Sequence, residues 1–198
     1  MESLNQFKTH LKPGKVYRRA DLEVWSNAVD RHLSVLTKEG VLQKLSGGLY
    51  YRPKAGVFGV LPPEDEELVR SFLKDDEFLI TSPNDYNRLG VGTTQLYNKR
   101  VVYNHKRHGD FQLGGRTFTF YAKHRFPKKL SDEFLLVDLL NNLNNLAEDK
   151  EVLVQNIAAK ARGMDGKKLK KAASDFGSVR AKNLLLKWMQ QAEGQHAH

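Results

Sequence analysis

Arg31, with Asn27, Ser34 and Lys38 around it, carries the side chains of this 198-residue sequence best suited by type and spacing to recognition chemistry. The four recur at intervals of four, three and four residues, which sets them along one face of a helix, opposite Val29, Leu33 and Leu36. Arginine suits guanine, asparagine suits adenine, serine suits a base or a phosphate, and lysine suits phosphate or guanine. The stripe begins at the helix N-terminus, where a recognition helix usually meets base edges. Every surface helix has a polar face, so the neighbouring residues decide the reading. Tyr17, Arg18 and Arg19 precede a second, brief helix at 20–25, where a helix-turn-helix meets the DNA backbone. Ser26 is placed to N-cap the helix that bears Arg31. Lys44 and Arg52 flank Ser46-Gly47-Gly48, a turn whose glycines would let its backbone approach a phosphate or enter a minor groove. Asp30 opposes a phosphate at its own position. These elements, in this order, imply contact with double-stranded DNA through Tyr17, Arg18, Arg19, Ser26, Asn27, Arg31, Ser34, Lys38, Lys44 and Arg52.

Other chemistry is less well supported. In His105-Lys106-Arg107-His108-Gly109-Asp110, with His124 downstream, two histidines three apart and a carboxylate are possible metal ligands. Lys106 and Arg107 would oppose a cation there, so the run reads as a basic, solvated hairpin loop, and no metal or other cofactor is expected. The sequence holds no cysteine, which removes disulfides, thiolate catalysis and cysteine-ligated zinc. No nucleophile elbow, phosphate-binding glycine loop or paired-acid arrangement occurs, and Asp75-Asp76-Glu77 reads as a helix end. An enzyme is therefore not expected. Lys167, Lys168, Lys170 and Lys171 around Leu169 form a basic helix face, either simply solvated or turned to an acidic partner or DNA backbone.

The elements that must position these residues follow from periodicity and charge. The net charge is +9, a balance that favours polyanionic partners. Residues 1–55 hold ten Lys/Arg against five Asp/Glu, residues 64–77 are acidic, and residues 99–129 hold nine bases against Asp110 alone. Leu4, Phe7 and Leu11 give a first helix its apolar stripe, ended by Pro13-Gly14. Val16-Tyr17 is a short extended piece, and the helix after Ser26 runs to about Glu39 with Gly40 as its stop. Strands follow at 41–45 and 49–52. Three prolines and two glycines between Pro53 and Pro63 mark a linker at 54–63. Beyond it, helix is expected at 64–73, strands at 78–81, 99–103, 111–113 and 116–121, and a short helix at 83–89. Helices then fill 132–146, 149–162, 166–175 and 178–191, with His196-Ala197-His198 as a loose end. The fold class is α+β: an N-terminal winged helix-turn-helix domain at 1–53, then a mixed α/β C-terminal domain at 64–198 that ends in helices. No apolar run reaches membrane-spanning length and the N-terminus lacks a signal-peptide core, so a cytoplasmic location is expected, with no membrane partner.

A family resemblance emerges from particular runs. Tyr17-Arg18-Arg19-Ala20-Asp21-Leu22, Val29 to Leu36, Gly40-Val41-Leu42 and Gly48-Leu49-Tyr50-Tyr51-Arg52-Pro53 resemble the N-terminal domain of AbiEi-type antitoxins. Asn87-Arg88-Leu89-Gly90-Val91-Gly92-Thr93-Thr94-Gln95 resembles that family's Leu-Gly-Leu-Thr-Thr-Gln signature, with Gly92 additional. The resemblance spans roughly residues 10–125 and implies the antitoxin of a type IV toxin–antitoxin system. Such a protein would bind inverted repeats in its own promoter and counter a cognate nucleotidyltransferase-like toxin. Read without the resemblance, Leu89 to Gln95 is a tight turn whose threonine hydroxyls bond the backbone. Two other functions fit the same composition: a winged-helix regulator whose C-terminal domain senses a ligand, and a module that binds protein or RNA. A gene for a nucleotidyltransferase beside this one would favour the antitoxin over both. If the basic face at 167–171 meets an acidic partner, reversing Lys167, Lys168, Lys170 and Lys171 to glutamate impairs rescue from that toxin in a two-plasmid growth assay; undiminished rescue removes the face from toxin control.

Overall fold

The computed structural model describes residues 3–195, so His196-Ala197-His198 lies outside the described residues. With about 47% helix and 20% strand the fold is mixed α+β. No helix among the described residues is long and apolar enough to cross a membrane. The chain forms two compact units, one reaching to Asp76 and including Lys106–Thr119, the other made of Glu77–His105 and the chain from Phe120 onward. The expected boundary at 54–63 is therefore displaced, and the first unit is discontinuous in sequence.

In the first unit, α1 (Leu4–His10) begins in a capping box between Ser3 and Gln6, β1 is Val16–Arg18, and α2 is Arg19–Leu22. Helix α3 (Val29–Lys38) buries Val29, Leu33 and Leu36, and with Phe7, Leu11, Leu22 and Leu42 they make a small core. Strands β2 (Gln43–Ser46) and β3 (Leu49–Tyr51) form a hairpin on which β1 closes, so that β3 is central in the order β1-β3-β2. Gly48, at φ 71°, turns the hairpin in the left-handed region that glycine adopts freely.

The expected linker is instead a second hairpin, β4 (Lys54–Gly56) and β5 (Gly59–Leu61). In a two-stranded sheet both strands are edges, so prolines beside them break no ladder. The Tyr51 hydroxyl donates to the Leu61 carbonyl at 2.8 Å and ties this hairpin to β3. Helix α4 (Asp65–Leu73) follows, with three acids in its first turn, where they suit the helix dipole. Its last carbonyls accept from Lys106: the amine lies 3.4 Å from the Leu73 oxygen and 3.1 Å from that of Lys74, and pairs with Asp75 at 2.8 Å. Lys106 is thus a helix-terminating group, not part of a freely solvated loop. From it run β8 (Gly109–Leu113) and the first residues of β9 (Arg116–Ala122), whose turn residue Gly114 donates its N–H to the Leu45 carbonyl at 3.2 Å.

The second unit pairs β6 (Phe78–Thr81) with β7 (Arg100–Asn104) antiparallel, and the last residues of β9 lie along β7, where Asn104 bonds the Tyr121 carbonyl. A 3-10 turn covers Pro83–Leu89. Helices α5 (Asp132–Asn142), α6 (Lys150–Arg162), α7 (Gly166–Phe176) and α8 (Val179–Gln195) complete it. Leu89 to Gln95 departs from expectation in one respect, because the buried Thr93 hydroxyl has no hydrogen-bond partner among the described residues. The Val91 carbonyl instead accepts from Asn156 of α6 at 3.0 Å.

Every residue of α5 from Phe134 to Leu140 is buried, and Asp138 is among them at 1% exposure. Its carboxylate accepts from the Tyr86 hydroxyl at 2.7 Å and the Tyr103 hydroxyl at 2.8 Å, and Lys123 Nζ lies 3.8 Å away, over the Tyr103 ring. Asn142 donates to the Tyr86 hydroxyl at 3.3 Å and to the Asp138 carbonyl at 2.8 Å. Burial pushes the Asp138 carboxyl above its ordinary range, against the pull of Lys123 and the hydroxyl donors. Burial also lowers the Lys123 amine. Asp138→Ala strands two buried hydroxyls and an amine, and costs on the order of 3–5 kcal/mol in urea unfolding. For a carboxyl whose folded pKa is raised, the stability it contributes is complete below the unfolded pKa and is lost as pH rises through the folded value. The stability of the native chain relative to Asp138→Asn therefore falls as pH is raised through this range; a difference that does not change with pH rules out the raised carboxyl.

Candidate functional site

The stripe read from the sequence is present on α3, with two changes. Arg31, Ser34 and Lys38 are exposed on the helix and Asn27 is exposed in the turn before it, opposite buried Val29, Leu33 and Leu36. No ion pair engages Arg31 among the described residues, and an open groove of about 750 Å³ at the start of α3 is lined by Trp25, Asn27, Arg31 and Val35 among others. Ser26 belongs elsewhere. The helix begins at Val29 with Ala28 as its N-cap and no side-chain cap, and Ser26 is buried. Its Oγ accepts the Ala28 N–H at 3.0 Å and lies 3.1 Å from His32 Nδ1. The His32 ring packs 5.1 Å from the Phe7 ring, so this chain of contacts fixes α3 against α1. Ser26 positions the helix through its bonds to Ala28 and His32.

The flanking basic residues divide in the same way. Arg19 grips both carboxylate oxygens of Asp30 at 2.6 Å and also bonds Glu23. Those hydrogen bonds hold Asp30 below the usual carboxylate range and raise the Arg19 guanidinium above its ordinary value. Tyr17 is also engaged, its hydroxyl accepting from the Lys12 N–H at 2.6 Å and its ring edge-on to Trp25. Arg52 points back to the Val41 carbonyl at 3.5 Å. Tyr17, Arg19 and Arg52 therefore hold the framework. Arg18 at the end of β1 and Lys44 on β2 carry no ion pair among the described residues and remain open to an anion. What the surface presents together is Arg31, Ser34 and Lys38 along α3 and Asn27 in the turn before it, with Arg18 and Lys44 on neighbouring strands. It is a strip of hydrogen-bond donors and positive charge.

Sequence reasoning missed the Asp138 cluster, although an acid inside the apolar run Phe134–Leu140 was the available signal. Beside it, a hollow of about 50 Å³ is lined by Tyr86, Tyr97, Tyr103, Tyr121 and Asn142 among others. Pockets for drug-sized ligands run from about 300 Å³ upward. His105 bonds the Lys123 carbonyl at 2.8 Å and packs 4.7 Å from the Phe126 ring. No group of three His, Asp or Glu side chains among the described residues could hold a metal ion. On α7, Lys167, Lys168, Lys170 and Lys171 are all exposed around buried Leu169. Asp165 caps the helix through the Lys167 and Lys168 N–H groups, and Lys171 pairs with Asp175 at 2.9 Å.

No curated protein matches the sequence. A family match does exist, and it runs over residues 7–169. It begins at Phe7, in the core of the first unit, and ends at Leu169, in the core of the second. With most of the sequence matched, the chain belongs to the family of unknown function DUF6088.

Proposed function

We propose that the first unit is a winged helix-turn-helix that binds duplex DNA sequence-specifically and represses transcription. In this reading α2 and α3 form the helix-turn-helix, α3 lies in the major groove, and the β2–β3 hairpin is the wing. The observation that carries it is the exposed row Arg31, Ser34 and Lys38 on one side of α3, with Asn27 in the turn before it, while the helix's other side is packed on the core. Arg18 and Lys44 would meet phosphates beside it, and Gly47-Gly48 would bring the wing close to the backbone. The DNA is the protein's own promoter, with inverted repeats as the site. The second unit has a different task in this proposal, which is to counter a nucleotidyltransferase-like toxin. Support for that part is the likeness of Asn87–Gln95 to the antitoxin signature, together with the exposed lysines of α7. No catalytic step is assigned to the chain, and it would act in the cytoplasm.

Binding of the full chain to its promoter duplex and to a random duplex, followed by fluorescence anisotropy, tests the DNA reading. Arg31→Ala weakens promoter binding by about 1–3 kcal/mol and leaves random-duplex binding nearly intact. Equal loss on both duplexes reduces Arg31 to a phosphate contact, and no promoter binding by the native chain ends the proposal. Rescue from the neighbouring toxin, measured by growth with the two genes on separate inducible plasmids, survives Arg31→Ala because repression and neutralisation use different surfaces. Rescue that requires Arg31 would mean that toxin control runs through transcription alone.

A further inference from the structure

Within five residues of the β4–β5 hairpin, four large apolar side chains stand exposed: Val57 at 93%, Phe58 entirely, Val60 at 66% and Leu61 at 46%. The strands pair Lys54 with Leu61, Ala55 with Val60 and Gly56 with Gly59, so Val57-Phe58 is a two-residue turn. Turns of that length favour asparagine, aspartate and glycine, and nothing in the turn itself calls for valine and phenylalanine. The hairpin is nonetheless firmly built. The hydroxyl of buried Tyr51 holds the Leu61 carbonyl at its base. The Leu61 side chain crosses Gly56 so closely that a Cβ there would come within 2.9 Å of it. The four exposed side chains leave on the order of 500 Å² of surface uncovered, within the roughly 300–600 Å² of the largest patch on a typical monomer. Residues 55–63 carry no charge, and β4 and β5 pair only with each other among the described residues. An uncharged, apolar edge strand is a template for pairing with another chain, and proteins that leave an edge free usually blunt it with charge.

We propose that β5 pairs antiparallel with β5 of a second copy of the chain across a twofold axis, joining two hairpins into one four-stranded sheet. The edge of β5 is the one that is free to do so. At the start of β4 the Lys54 side chain lies against Gly14, where a Cβ would come within 3.4 Å of it, and Lys54 is the hairpin's one charge. With the axis at Val60, each Val60 meets its own copy, Gly59 faces the copy's Leu61, and Phe58 reaches the copy's Pro62. An uncharged strand meets itself in this way with no like-charge clash, as a twofold contact requires. Two patches brought together remove about 1,000 Å², the size at which a specific interface begins to hold, so the dimer is a weak one. A DNA backbone fits the patch poorly, because the hairpin offers one lysine and exposed Glu64 and Glu66 follow it. The pairing needs no DNA and goes beyond the DNA-binding reading, although a twofold dimer is what inverted repeats would match.

Sedimentation of the full chain over a concentration series without DNA tests the pairing. The native chain passes from monomer to a dimer plateau at micromolar concentrations. Phe58→Glu and Val60→Glu each raise the dimer dissociation constant at least about tenfold. Both side chains are exposed, so each variant keeps its fold, which thermal unfolding checks. Because the sequence holds no cysteine, Val60→Cys supplies a single thiol. A short thiol-specific linker joins it to its copy and does not join Ser34→Cys, on exposed α3. A native chain that stays monomeric up to about 100 μM overturns the proposal, as does a dimer that neither glutamate variant weakens. Growth into ever larger species with no dimer plateau overturns it too, since the edge would then pair without closing. If the native chain is monomeric and Phe58→Glu abolishes rescue from the neighbouring toxin, the hairpin meets a different protein and the twofold pairing is wrong.

Discussion

Arg19 is held at both ends. Its backbone N–H donates to the Gly48 carbonyl at 2.9 Å, and its guanidinium takes both oxygens of Asp30 at 2.6 Å. The first bond fixes the turn of the β2–β3 hairpin to the start of α2, and the second fixes the start of α2 to the first turn of α3. The β2–β3 hairpin, α2 and α3 are therefore registered through one residue. The pairing of β3 with β1 extends the same constraint, since the Arg52 N–H reaches the Lys15 carbonyl and the Gly14 N–H reaches the Arg52 carbonyl. An exposed ion pair contributes little to stability in general, so the pair with Asp30 matters chiefly for geometry. The cost is a cation withdrawn from the basic surface, which leaves Arg18 and Arg31 as the nearer open charges.

The division between framework and open residues was only partly legible in the sequence. The apolar spacing Val29, Leu33, Leu36 identified the face of α3 that is buried, and hence the face that is not. The strand pairs around Gly47-Gly48 and Gly114-Gly115 followed from turn composition, with ends displaced by one or two residues. Which cations are open was not legible, because Asp30 lies eleven residues from Arg19 and only the packing of α2 on α3 brings them together. Ser26 misled for a similar reason. A serine ahead of an amphipathic run reads as an N-cap, but a buried histidine at position 32 competes for its hydroxyl.

The discontinuity of the first unit could not be read locally at all. Pro53 to Pro63 has the composition of a linker, yet its prolines flank two edge strands and its glycines bound their turn. Lys106 and Gly114 look like loop residues until their partners, the carbonyls at the end of α4 and at Leu45, are known. The Asp138 cluster lies between these extremes. An acid in the middle of a run of buried apolar residues signals a buried polar network, but its partners Tyr86, Tyr103 and Lys123 come from three other stretches of chain.

A unit assembled from two stretches of chain has a timetable when it is made. Residues 77–105 must be synthesised before Lys106 can reach the end of α4, although they belong to the other unit. At about 5–20 residues per second, the stretch from Asp76 to Thr119 takes a ribosome roughly 2–9 s to make. During that interval the nascent chain already holds α3 and the hairpin beside it, while the last turn of α4 lacks its lysine and Leu45 lacks the bond from Gly114. Closing the intervening loop then costs chain entropy that grows only slowly with its length. A nascent chain halted within 77–105 therefore carries the exposed donors of α3 on an incomplete support, and the finished first unit first exists once Thr119 has left the ribosome.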